Sequence, residues 1–303
     1  MRAIARFAMR SPTAASVSAA AYAVFALVFA PLMVLSGAVV GLAALRGGFS
    51  RGIQVALSAA LIAGIIYYAR LREPMAGVLV GATWLPVLFA ALVLRASESQ
   101  GLALSVCAGF AALFALTTRM LIPDMQAHWL ARLMEIGESV KSQGGTFFKD
   151  DDVALIASVM HEATLVMTGL FWMTAVLLAR WWQSALYNPG GFGSEFRSLV
   201  IPRAISPLAA VVAVLALLQV FAGAPGGLAS DLLIVLVVLF AFQGLALLHH
   251  RVHKLNLARG WMVGLYVLLL LMPHRVGLIL AIAGIADTVL DVRGLRVRRP
   301  PVD

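Results

Sequence analysis

Residues 232–248 read LLIVLVVLFAFQGLALL, seventeen consecutive positions without a charge. A bilayer core of ~30 Å needs ~20 helical residues, and this run with its flanks is long enough to cross it. The surrounding composition agrees. The chain of 303 residues is 62% hydrophobic and 12% charged, with a mean hydropathy of +0.95, whereas soluble domains are about 45–50% apolar and about a quarter charged. A soluble globular domain is therefore excluded, as are disordered and collagen-like chains. A β-barrel would show ~10-residue stretches of alternating polarity, and 12 prolines and 26 glycines in so apolar a chain suit broken or closely packed transmembrane helices better.

The same ruler predicts spans from Gly52 to Ala69, Met75 to Leu94, Gly101 to Leu121, Val153 to Leu178 and Ile205 to Phe221. Two further apolar stretches do not fit single spans. Ala14 to Leu45 is too long and carries Pro31, and Trp261 to Leu290 is interrupted by Met272-Pro273-His274-Arg275. Proline removes a helix hydrogen bond and restricts the residue before it, so each stretch is predicted to be a hairpin of two short helices. The fold expected is an all-α integral membrane protein, a polytopic bundle of about 8–10 transmembrane helices with short hairpins near both ends. Three regions follow: an N-terminal membrane bundle over 1–121, an extracytoplasmic amphipathic loop over 122–152, and a C-terminal membrane bundle over 153–303 ending in a basic tail.

Charge orients the bundle. With the N-terminus inside, 16 of the 23 Lys and Arg fall in inner segments, such as Arg2, Arg6 and Arg10 or Arg251, Lys254 and Arg259. The remaining 7 fall outside. This matches the enrichment of basic residues in cytoplasmic loops, and it accounts for the net charge of +9 without a nucleic-acid partner. The basic start precedes an apolar stretch far longer than the ~7–15 residue core of a secretory signal, so it is read as retained. Cys107, the single cysteine, lies inside an apolar run, which leaves no disulfide framework.

Between Pro123 and Asp152, Met125, Trp129, Leu133, Ile136 and Val140 recur at helical spacing opposite Gln126, Arg132, Glu135 and Glu138. This predicts an amphipathic helix, either lying on the outer surface or forming a lid over a cavity. Asp150, Asp151 and Asp152 then favour the positive end of the next helix.

His161 and Glu162 are ionisable groups about 12 Å inside a predicted span, which marks a ligand site or proton relay by default. Asp287, in the last helix, is the third candidate, and it could instead pair with the Arg-rich tail or with a polar group in the bundle. His161-Glu162-Ala163-Thr164-Leu165 lacks the second imidazole of a zinc protease motif. His249 and His253 share a helix face, but beside Arg251 and Lys254 they read as a headgroup anchor rather than a metal site. No metal, cofactor or nucleotide motif is expected, and no coherent catalytic pair is present, so the chain is not read as an enzyme.

Gly52, Ala56, Ala60 and Gly64 recur every four residues through one span, and Gly37/Gly41 and Gly77/Gly81 repeat the pattern. Such faces let helix backbones approach closely, either within this chain or against a separate membrane subunit. In the inner loop, Arg180 with Trp181 and Trp182 is expected at the interface. Asn188-Pro189-Gly190-Gly191 must turn tightly.

The stretch Pro31-Leu32-Met33, the run Gly41-Leu42-Ala43-Ala44-Leu45-Arg46-Gly47-Gly48, Trp181-Trp182-Gln183-Ser184, Asn188-Pro189-Gly190-Gly191 with Glu195-Phe196-Arg197, and Gly284, Asp287, Asp291-Val292-Arg293 resemble the YybS-like predicted membrane proteins of bacteria. The N-terminal region is similar to the substrate-binding S components of energy-coupling factor transporters, six-helix proteins that dock to a partner through small-residue faces. The resemblance implies a bacterial inner membrane location, a docking role for the Gly52 stripe and a substrate role for the outer loops. This chain departs from it by its additional helices and its long outer loop.

Two functions remain open: transporter-like binding or translocation of a small solute or lipid, or a non-transporting subunit that docks to a membrane protein or to a second copy. Both place the lipid bilayer around the chain.

Overall fold

The computed structural model describes residues 2–72, 76–223, 226–258 and 260–295, and the basic tail expected beyond 295 lies outside them. Twelve helices and no strand are present among the described residues: α1 Arg2–Ala8, α2 Pro12–Phe25, α3 Leu32–Leu71, α4 Ala76–Ser97, α5 Gln100–Leu121, α6 Met125–Ser142, α7 Asp150–Tyr187, α8 Gly191–Arg197, α9 Ile205–Phe221, α10 Leu228–Lys254, α11 Gly260–Leu271 and α12 Pro273–Leu290. Six are long and apolar enough to cross a membrane, while α2, α9 and α11 are shorter apolar helices. The chain is a polytopic helical membrane protein.

The hairpins form where proline demands them. Pro31 caps the start of α3, and Pro273 takes the first position of α12, where its missing N–H costs no helix bond. One break is sharper than expected. The 40 residues of α3 contain Gly48 at φ 70° and ψ −164°, a backbone state essentially reserved for glycine. It divides α3 into arms 32–47 and 49–71. The last carbonyls of the first arm are satisfied from α4, whose Arg95 donates from Nη1 to Leu45 O at 2.9 Å and Arg46 O at 2.7 Å.

Small residues set the packing distances. Alanines 15, 19, 20 and 23 of α2 are buried, and α2 is joined to both arms of α3 by Ser36 Oγ donating to Ala19 O at 2.6 Å and Tyr67 OH donating to Ala23 O at 2.7 Å. Gly37 and Gly41 face α7, where a Cβ would stand 3.2 Å from Ala175 and 3.0 Å from Ala179. Gly52 and Ala56 are buried inside the chain, Gly52 against Leu88 of α4 and Ala44, while Ala60 and Gly64 are half-buried. On α10 and α12, a Cβ at Gly244 would collide with the Leu280 carbonyl and one at Gly284 with that of Phe240. One hydrophobic core draws on residues from Ala5 to Ala281.

The helix at 125–142 is present, and it packs on α7. At 1.5 Å per residue the 38 residues of α7 run about 57 Å, well beyond a ~30 Å bilayer core. The bundle thus has two ends. The basic end gathers Gly48, the α4–α5 turn, the ends of α7, α10 and α12, and α8. The opposite end holds α6 and the first turns of α7.

Candidate functional site

The buried charges occupy both ends of the bundle. At the α6 end, Arg119 in the last turn of α5 forms a two-point ion pair with Asp231 in the first turn of α10, with Nε to Oδ2 at 2.6 Å and Nη2 to Oδ1 at 3.0 Å. His161 of α7 joins them, its Nε2 3.1 Å from Asp231 Oδ2. Asp231 is fully buried and His161 nearly so. An ionised carboxylate paired to a guanidinium only accepts hydrogen bonds, so the network assigns the proton on Nε2 to His161. Its Nδ1 is then the acceptor nitrogen of the neutral ring.

The height of this cluster follows from α7. About 20 residues back from the half-exposed Trp181, one bilayer thickness, the helix reaches His161. His161 is level with the end of α5 and the start of α10, not with the middle of those spans, because α7 extends past its neighbours to pack on α6. Glu162 is exposed, since residues one apart on a helix point about 100° apart, yet it lies close enough for its charge to act on Arg119. The cluster therefore has a buried core of Arg119, Asp231 and His161 with one carboxylate at its edge.

Sequence reasoning did not single out Asp231 and treated Arg119 as an ordinary loop charge. Each does sit within a turn of the end of a long apolar run, and that position was the available signal.

Asp287 does not join this site. α12 carries it to the basic end, where it is nearly enclosed and receives Arg293 Nη2 at 2.7 Å and Gln243 Nε2 at 2.7 Å. Arg293 also donates to the carbonyls of Arg197 at 2.8 Å and Leu199 at 2.6 Å, and Gln243 Oε1 accepts from Ile201 N at 2.7 Å. This network fastens the non-helical segment 199–202 across the basic end. Asp287 and the His161–Glu162 pair thus lie at opposite ends of the bundle, and Asp287 meets both partners open to it from sequence, a basic residue beyond α12 and a polar group inside the bundle.

The glycine-rich turn positions another ion pair. Gly190 adopts φ 93°, Ser184 Oγ donates to Asn188 O at 2.7 Å and accepts from Phe192 N at 2.9 Å, and α8 folds back so that Glu195 meets Arg180 at 2.7 and 2.8 Å. Gly191 sits against Asn188, and Pro189 stands beside it in the turn. Trp182 is fully buried rather than interfacial, because its neighbour Trp181 takes the outward direction. His249 bonds the Tyr266 hydroxyl at 2.9 Å and His253 is exposed.

Between the α4–α5 turn and segment 198–203 lies a cleft of about 830 Å³. Gln100 lines it, 4% exposed, with Nε2 3.4 Å from Glu195 Oε2 and, among the described residues, no partner for Oε1.

Fold and charge placement define a polytopic helical membrane protein with ion clusters at both ends. Residues 149–288 match the model of a family described as "Predicted membrane protein (DUF2232)". No curated protein and no solved structure matches the chain.

Proposed function

We propose that this protein is a transporter-like membrane protein of the bacterial inner membrane, and that it binds a small polar solute or lipid headgroup at the α6 end. The reading rests on the Arg119–Asp231–His161 cluster, which brings two obligate charges and one titratable ring together from three long apolar helices. Ionisable groups at such positions are costly unless paired and mark ligand or proton pathways. With its Nε2–H directed to Asp231, His161 offers an acceptor at Nδ1 to a donor group of the solute. The basic end is cytoplasmic in this reading, both termini lie inside, and α6 faces outward. The similarity to YybS-like proteins and energy-coupling factor S components supports a solute-binding role with energy supplied by another subunit.

A thermal-shift screen of the purified protein against small polar solutes and lipid headgroups tests the proposal. Solutes that raise the unfolding temperature of the wild type are expected to lose that effect in His161→Ala and Glu162→Gln. Shifts that persist unchanged in both variants remove these residues from the site.

The second reading, an assembly subunit, draws on a different feature. No residue of α11 is fully buried within the chain, and Trp261, Val263, Leu270 and Leu271 are largely exposed. A membrane protein partner or a second copy seated there would give this short helix a role beyond lipid contact.

A further inference from the structure

The break in α3 at Gly48 carries a ligand assignment that is independent of the His161 cluster. Three arginines meet there. Arg95 of α4 donates from Nη1 to the carbonyls of Leu45 at 2.9 Å and Arg46 at 2.7 Å, and its Cζ stands 3.9 Å from where a Cβ of Gly48 would be. Arg51 lays its aliphatic stem over Gly47, since a Cβ at Gly47 would meet Cβ, Cγ and Cδ of Arg51. Arg46 stacks on Tyr187 at the end of α7, with its Cζ 3.8 Å from the ring centroid.

These three arginines lack a counter-ion. Among the described residues none of them forms an ion pair with a carboxylate, whereas Arg180 and Arg293 at the same end are held by Glu195 and Asp287. Arg46 and Arg51 donate no hydrogen bond among the described residues, and Arg95 commits only Nη1. Two of the guanidiniums are nevertheless fixed, Arg95 by two carbonyls and Arg46 by the aromatic ring, so their remaining N–H groups are oriented before a ligand arrives. The Nε–Nη2 edge left open on Arg95 is a fork that matches two oxygens of a phosphate. Orienting the chain requires only positive charge at this end. A held and unpaired fork adds a recognition geometry to that charge.

An apolar face leads away from the arginines. In the second arm of α3, Phe49, Ile53, Leu57 and Leu61 recur every fourth residue, and Phe49, Leu57 and Leu61 are 55%, 64% and 67% exposed. They cover about 18 Å of helix, roughly one leaflet of a ~30 Å bilayer core. A soluble anion would use the arginines and leave this face idle. A zwitterionic lipid would bring its own cation up to three unpaired guanidiniums. Basic sites between membrane helices are suited instead to anionic lipid headgroups.

We infer that the Gly48 break binds an anionic phospholipid, its phosphate held by Arg46, Arg51 and Arg95 and one acyl chain lying along the outward face of the second arm of α3.

The test takes the full chain, stripped of lipid in a neutral detergent, and titrates it with phosphatidylglycerol or with phosphatidylcholine of the same chain length, counting bound lipids by native mass spectrometry. Saturable binding of one phosphatidylglycerol is expected, more than about tenfold tighter than phosphatidylcholine. Arg46→Gln and Arg51→Gln should each weaken it about fivefold, while Arg251→Gln combined with Lys254→Gln, which removes two charges from the end of α10, should leave it unchanged. Equimolar inorganic phosphate should not displace the lipid. Displacement by phosphate would show a free-anion site and overturn the lipid assignment. Equal affinity for the two lipids, or equal weakening by the α10 variant, would show attraction by net charge alone and overturn the site. Should Arg46→Gln fail to fold, Arg51→Gln decides, because its guanidinium makes no hydrogen bond among the described residues.

Discussion

Asp231 is the residue on which the α6 end depends. It accepts from Arg119 at two points and from His161 at a third, so removing its charge leaves a guanidinium without its counter-ion. Breaking such a pair from one side costs of the order of 3 kcal/mol. Asp231→Asn should therefore lower the unfolding temperature markedly. The double variant Arg119→Gln with Asp231→Asn should cost less than the sum of the single changes, and additive effects in a thermal double-mutant cycle would refute the coupling. The sequence displayed these three residues without their association, because Arg119 and Asp231 stand 112 positions apart and one apolar helix gives no sign of which neighbour it meets. His161 was legible as an ionisable group inside a span. Asp287 was legible too, but its partner Arg293 reads as interfacial until α12 is seen to fold it inward.

Single backbone positions decide whether the elements form and pair. The break in α3 depends on Gly48, whose φ and ψ cost a side-chain-bearing residue about 1–3 kcal/mol. Gly48→Ala is expected to destabilise by that order in denaturation of the purified protein, and an unchanged midpoint would show that the arms can join by another geometry. The crossing of α10 and α12 is stricter, since any Cβ at Gly244 meets the Leu280 carbonyl. Gly244→Val should prevent that contact and abolish folded yield by size-exclusion chromatography, whereas Gly264→Val, with nothing within 4 Å of its Cβ, should be tolerated. Breaks at Pro31 and Pro273 were readable because proline removes a donor wherever it stands. The abruptness of the Gly48 break was not, because a Gly-Gly pair permits a long loop as readily as a one-residue turn. The helix at 125–142 was readable from its periodicity, but its packing on α7 depends on α7 continuing beyond the bundle.

At the scale of the molecule, the charges sort the two ends. Arg46, Arg95, Arg180, Arg197, Arg251 and Arg293 all gather at one end, and the account places that end in the cytoplasm. In a Cys107→Ala background, Lys254→Cys should be labelled by a membrane-impermeant maleimide only after the cells are opened, and Lys141→Cys in intact spheroplasts. The reverse pattern would invert the topology. That the chain is a set of apolar helices, and where proline breaks them, was legible from hydropathy and sequence, whereas the pairing of α3 with α7 and of α10 with α12 was not, since lipid-facing and protein-facing sides are equally apolar.

The central claim is that the Arg119–Asp231–His161 cluster serves a bound solute and does more than hold three helices together. His161→Gln separates the two, because its amide can still donate to Asp231 while the titratable ring is gone. Native mass spectrometry of the protein gently extracted from its own membrane, wild type beside His161→Gln, is the measurement to make. The account predicts a stoichiometric small molecule on the wild type that is lost from a variant of equal thermal stability. A wild type carrying no small molecule, or an adduct retained in His161→Gln, would contradict it.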